Sequence, residues 1–126
     1  EKNNGLAVLS LIEKKLVNSV HDISSGGILI TLAEMCISGN IGAKIKISQN
    51  KTSLNEYLFG EDQSRYIIEV NKKNKDEVTK ILKKNSVYYE TIGITQNERL
   101  TLDNEINIKL TELSNLCSFW YKNYFK

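Results

Sequence analysis

The chain has 126 residues, 40% of them hydrophobic, and its 17 Lys+Arg against 15 Asp+Glu give a formal charge of +2. Such a chain removes about two-thirds of its unfolded surface from water on folding, enough for a core without disulfide staples. The composition excludes a membrane helix, which needs about 18 consecutive apolar residues, and the small charge does not by itself argue for nucleic acid.

The first predicted element is a helix over roughly residues 5–15, with Leu9, Ile12 and Leu16 at helical spacing as its inner stripe and Lys14 and Lys15 in the last turn, where cations suit the dipole. A short strand is expected over 17–22. After Ser24-Ser25-Gly26-Gly27 comes a second helix to about Ser38. Its polar positions, Thr31, Glu34 and Ser38, form one narrow stripe, and Ile28, Leu29, Leu32, Ala33, Met35, Cys36 and Ile37 fill the rest of its circumference, so it should be buried on most sides. Gly39-Asn40 is an end signal.

Residues 43–48 alternate, with Ala43, Ile45 and Ile47 facing one way and Lys44 and Lys46 the other, the mark of a half-buried strand. A helical turn is expected over 54–59, then a strand over 65–70. Asn74 can cap a third helix to about Asn85, with Asp76 and Glu77 in its first turn, Lys80, Lys83 and Lys84 towards its end, and Val78, Ile81 and Leu82 inside. A strand over 87–95 and a hairpin of 100–102 with 106–110 turning at Asp103-Asn104 follow. Thr111 can cap a last helix, in which Leu113, Leu116, Cys117, Trp120, Tyr121 and Tyr124 recur at helical spacing. The order α-β-α-β-(α)-β-α-β-β-β-α predicts an α+β fold or a layered α/β sandwich with a mixed sheet, in one domain.

Two segments could carry chemistry. In the first, His21-Asp22-Ile23-Ser24-Ser25-Gly26-Gly27 leads from a strand into the buried helix. Gly26 and Gly27 allow close backbone approach to a ligand, and the helix start offers unpaired N–H groups to an anion. Asp22 could hold a magnesium ion, and His21 could bond a ligand or move a proton. Against this stands the structural reading: Ser24 or Ser25 can simply cap the helix, the paired glycines can serve only tight packing, and a lone histidine is usually structural. The second segment, Phe59-Gly60-Glu61-Asp62-Gln63-Ser64-Arg65-Tyr66, crowds polar groups onto a turn entering a strand. It is either a ligand-contacting loop or a solvated turn in which Arg65 pairs with Glu61 or Asp62.

Other features carry less. Lys72, Lys73, Lys75, Lys80, Lys83 and Lys84 read as a solvated face. Trp120, Tyr121 and Tyr124 read as a packing stripe, and Cys36 as an inert core residue. One histidine and two distant cysteines do not make a zinc site. Cys36 and Cys117 form no CxxC pair, which suits a reducing cytosol and a cytoplasmic protein. The start, Glu1-Lys2-Asn3-Asn4, has no signal-peptide pattern, and the missing initiator Met suggests a piece of a longer chain.

The segments VHDISSGGILITLAEM (20–35) and LFGEDQSRYIIEV (58–70), in this order and spacing, resemble the C-terminal region of the phosphoribosylformylglycinamidine synthases, in the aminoimidazole ribonucleotide synthetase superfamily. The likeness extends to IGITQNERLTL near the end and to a closing helix with a Trp. Ser25 departs from it, standing where the family often has Asp. The resemblance implies an α/β/α domain, partly ferredoxin-like, placed as the C-terminal domain of the second synthetase unit. It implies a ligase of purine biosynthesis that uses ATP, magnesium and ammonia from a glutaminase subunit or domain to convert formylglycinamide ribonucleotide to its amidine. The catalytic histidine then lies in other domains, so this chain alone is expected to be inactive. His21, Asp22, Ser24, Gly26, Gly27, Glu61, Asp62, Gln63 and Arg65 are implied to face a nucleotide, phosphate or substrate, with Asp22 as a possible magnesium ligand. In the second unit these places line an auxiliary site that in some members holds structural ADP. Two alternatives stay open. One is another member of the superfamily, such as a selenophosphate, hydrogenase-maturation or thiamine-phosphate enzyme. The other is a free-standing α+β ligand-binding module.

Overall fold

In the computed structural model, residues 2–47, 53–103 and 105–124 are described; the side chains of Trp120, Tyr121 and Lys122, and the chain at Ser48 and Asn104, lie outside that description. The order is α1 (Lys2–Glu13), β1 (Ser19–Asp22), α2 (Gly27–Gly39), β2 (Gly42–Ile45), α3 (Leu54–Phe59), β3 (Tyr66–Glu69), a 3-10 turn (Lys72–Asn74), α4 (Lys75–Lys84), β4 (Gly93–Gln96), β5 (Arg99–Leu102), β6 (Ile106–Lys109) and α5 (Leu110–Tyr124). This matches the order read from the sequence. The chain divides into two compact units, 1–31 with 54–91 and 32–53 with 92–126.

In the first unit β1 and β3 pair antiparallel, with Ser19 opposite Glu69 and Asp22 opposite Tyr66. The core joins Ala7, Leu11 and Leu16 to Val78 and Leu82 of α4, with Ile68, Val70 and Ile81 packed against it. The predicted inner stripe of α1 is corrected here. Leu9 and Ile12 are 50% and 48% exposed, whereas Leu11 is fully buried. The helix is apolar on both sides of this line, so periodicity alone could not tell which side meets the core. The expected cap also moves. Asn71 Oδ1 accepts the Lys73 N–H ahead of α4, while Asn74 makes no side-chain cap bond and instead donates from Nδ2 to the Leu16 carbonyl at 3.2 Å.

In the second unit the four strands run β4-β2-β5-β6. β2 is antiparallel to β4 and parallel to β5, and β5 is antiparallel to β6. The sheet is therefore mixed, as expected, and the predicted hairpin is the β5–β6 pair. The Lys/Ile alternation of β2 holds, with Ala43 and Ile45 buried and Lys44 exposed. The strand predicted over 87–95 is shorter and later, Gly93–Gln96; at its expected start the Val87 N–H donates to the Leu82 carbonyl at 3.0 Å, closing off α4. Thr111 does not cap α5, which begins at Leu110 directly after β6.

Three helices end alike. After α1, α2 and α4 the chain turns through the left-handed region at Lys15, Asn40 and Ser86. In each case the next residue's N–H reaches back five residues, Leu16 to Leu11, Ile41 to Cys36 and Val87 to Leu82. This satisfies carbonyls that the helix end leaves orphaned. Asn40 was foreseen as such an end; Lys15 and Ser86 carry no sequence signal for it.

Candidate functional site

All nine candidate residues fall in the first unit. The β1–β3 register sets Asp22 opposite Tyr66. The start of the first motif therefore lies beside the end of the second, although they are some forty positions apart in sequence. Beyond the last ladder pair the Ile23 N–H donates to the Arg65 carbonyl at 2.9 Å, extending the pairing into both loops.

The turn into α2 is built on glycine. Gly26 and Gly27 have φ +82° and +69°, where a side chain is strained. A Cβ on Gly27 would lie 2.5 Å from the Leu58 carbonyl oxygen and 2.7 Å from the Phe59 carbonyl carbon. So Gly27 is required by the close approach of α3, which supports the packing reading at that position. The Gly27 N–H donates to the Ser24 carbonyl at 3.1 Å, a backbone turn, and Ser24 is exposed.

Gly26 joins the two motifs directly. Its N–H donates to Glu61 Oε1 at 2.8 Å. A carboxylate thus sits at the start of α2, where the helix dipole favours negative charge. Arg65 does not pair with Glu61. Its Nη2 donates to the Gly60 carbonyl and lies 3.4 Å from Asp62 Oδ2, while its buried Nε has no hydrogen-bond partner among the described residues. Of the two pairings open in the sequence, the structure selects Asp62 and leaves Glu61 to the backbone of the other motif. Glu61, Asp62 and Gln63 are all exposed.

His21 Nδ1 lies 2.7 Å from the backbone oxygen of its neighbour Asp22 and 3.6 Å from an oxygen of the Asp22 carboxylate. As a donor to that carbonyl, Nδ1 carries the proton and the ring orientation is set locally. The Asp22 carboxylate itself is 68% exposed. Among the described residues no three His, Cys, Asp or Glu side chains converge to hold a metal ion. Asp22 alone does not fit a magnesium ion, which takes several oxygens; the remainder would come from outside these residues.

Sequence reasoning missed three supports. Asn4 of α1 donates from Nδ2 to the Ser64 carbonyl at 2.9 Å, tethering the second loop where Ser64 takes a left-handed φ of 63°. Tyr57 donates its hydroxyl to Glu90; burial first, and then this bond, push its pKa up. Thr31, predicted on the polar stripe of α2, is 1% exposed. Its hydroxyl donates to the Gly27 carbonyl at 3.0 Å, four residues back, so the helix satisfies it internally. Ile30 instead is 41% exposed. No residue pattern marks the Asn4 tether in advance, since it depends on where α1 docks.

Residues 1–103 match the family "AIR synthase related protein, C-terminal domain", and the chain belongs to that family of domains. Over its whole length it is 43% identical to the phosphoribosylformylglycinamidine synthase subunit PurL of Pelagibacter ubique, of which it spans 17%. In fold it is similar to PurL of T. maritima solved with FGAR, with a TM-score of 0.75 at 21% identity, covering 90% of this chain and 20% of that one. It is also similar in fold to thiamine-monophosphate kinase from Stenotrophomonas maltophilia, with a TM-score of 0.63 at 17% identity over 78% of this chain and 35% of that one. The chain therefore spans about a sixth of the length of the curated relatives it matches. Among the described residues no helix is long and apolar enough to cross a membrane.

Proposed function

We propose that this chain is the C-terminal domain of the second synthetase unit of a phosphoribosylformylglycinamidine synthase. That enzyme uses ATP and glutamine-derived ammonia to convert formylglycinamide ribonucleotide to the amidine in purine biosynthesis. Its glutaminase, as subunit or fused domain, and the preceding synthetase domains are partners outside the chain, and the setting is cytoplasmic. The observation that carries the reading is the 43% identity to a PurL subunit across all 126 residues. The likeness to a thiamine-phosphate enzyme extends to fold alone. The family match runs through both compact units, which favours treating them as one domain.

Within that enzyme the domain lines an auxiliary nucleotide or phosphate site rather than the site of turnover. Its own residues offer positioning groups: the glycine turn into α2, and a loop whose Glu61 already bonds the Gly26 N–H. The face formed by Asp22, Gly26, Glu61 and Gln63 is the one offered to a ligand.

The test is a chimera. The corresponding segment of the Pelagibacter ubique subunit is replaced by this chain, and ATP-dependent amidine formation is measured with ammonia as nitrogen source. Activity within tenfold of the parent is expected, and none from the 126-residue chain alone. A chimera that folds but forms no amidine, or turnover by the isolated chain, overturns the proposal.

A further inference from the structure

Three hydrogen bonds close a ring through both motifs. The Ile23 N–H donates to the Arg65 carbonyl, the Arg65 guanidinium donates to the Gly60 carbonyl, and Glu61, the next residue, accepts the Gly26 N–H. Arg65 is the one residue that enters this ring twice, once by backbone and once by side chain. Its guanidinium is drawn inward, to the Gly60 carbonyl and, at 3.4 Å, to Asp62. It is thus occupied within its own loop instead of being extended towards the exposed Glu61 and Gln63.

We infer that Arg65 is the positioning residue of this site. By gripping the Gly60 carbonyl it sets the direction in which the chain leaves α3, and so delivers the Glu61 carboxylate to the Gly26 N–H at the start of α2. The planar guanidinium suits this because the two N–H groups of Nη2 are held in fixed directions in one plane. One can serve the carbonyl and the other the Asp62 carboxylate, a geometry that the point charge of lysine does not hold as firmly. The arrangement leaves the buried Nε without a partner among the described residues. The ligand consequence rests on the reading above, that this face meets a nucleotide or phosphate; the internal geometry does not.

Two measurements test it. In the 126-residue chain, amide exchange at Gly26 is compared in the parent, Arg65→Met and Arg65→Lys. Arg65→Met is expected to speed Gly26 exchange at least tenfold, with Leu11 and Val78 unchanged within twofold and partial recovery in Arg65→Lys. Unchanged Gly26 exchange, or equal acceleration at Leu11 and Val78, overturns the inference. In the chimera, ADP is titrated against Arg65→Met, Glu61→Ala and the double variant. Each single change is expected to weaken ADP binding about tenfold, with the double no weaker than either. Additive losses mean that Arg65 itself touches the ligand, and overturn the positioning role. Failure of the parent chimera to bind ADP overturns the auxiliary-site reading alone, and Gly26 exchange still decides the role of Arg65.

Discussion

The two compact units solve different problems with similar material. The second builds a four-stranded mixed sheet on Ala43, Ile45, Leu100 and Leu102, all buried. Gln96 pins it, donating from Nε2 to the Ala43 carbonyl at 3.2 Å, the Arg99 carbonyl at 3.1 Å and Thr101 Oγ1 at 3.0 Å. The first unit has only a two-stranded sheet and packs its core between α1 and α4. Beyond the ladder, its loops are joined by scattered hydrogen bonds, among them those to Asn4, Gly26 and Gly60 and that of Ile23 with Arg65. A regular sheet uses up its backbone polar groups. Loops carried at the end of a short ladder keep carboxylates, amides and glycine N–H groups near one another and near water. Every candidate ligand residue lies in the first unit, His21 and Asp22 at the end of β1, Gly27 at the start of α2 and the rest in the two loops.

Substitutions can break this contrast. The largest loss is expected for Gly27→Ala. The left-handed φ costs about 1–2 kcal/mol and the collision with the α3 backbone roughly 1–3 more, so about 4 kcal/mol should disappear in urea denaturation. Leu102→Ala, at a 1% exposed position of the mixed sheet, should cost about 3 kcal/mol through its cavity. Gln96→Ala should cost about 2 kcal/mol by stripping a shared donor from three acceptors, which thermal unfolding would read as a lowered Tm. At the other end, Asp62→Asn should change stability by under about 0.5 kcal/mol, since its pair with Arg65 is largely exposed on the acid side. A loss at Asp62 as large as that at Gln96 would erase the contrast between the hydrogen-bonded sheet and the exposed loop.

Titration sharpens the same comparison. Burial raises the Cys36 thiol above its ordinary 9.0, and burial with the Glu90 bond raises Tyr57 above its ordinary 10.0. Above these ordinary values the unfolded groups lose their protons while the folded ones keep them. The unfolded chain then binds fewer protons, and stability should fall as pH rises from about 9 towards 11. Tyr57→Phe should flatten the upper part of that fall in pH-dependent denaturation. Below pH 9 an alkylating reagent should modify the exposed Cys117 first and reach the buried Cys36 only on unfolding.

Much of the architecture was legible in the chain. The Lys/Ile alternation placed β2, the spacing of Val78 and Leu82 placed the inner face of α4, and turn residues near 103 placed the hairpin. What failed did so for physical reasons. Helix α1 has apolar residues on two faces, and only docking against α4 distinguishes Leu11 from Leu9. Thr31 looked polar until its hydroxyl found a carbonyl within its own helix. The stretch after α4 has the β-branched and aromatic residues of a strand, yet its first N–H is spent on closing the helix.

For the site, the local sequence determined which groups are available: two glycines able to turn left-handed before a helix, and a carboxylate-rich turn before a strand. Side-chain chemistry and φ freedom are properties of residues and their neighbours, so they can be read from the chain. Which carboxylate meets Gly26 and which meets Arg65 was decided by tertiary structure. The β1–β3 register and the closeness of α3 to Gly27 set the distances across some forty residues of chain, and hydrogen bonds select partners within a few tenths of an ångström.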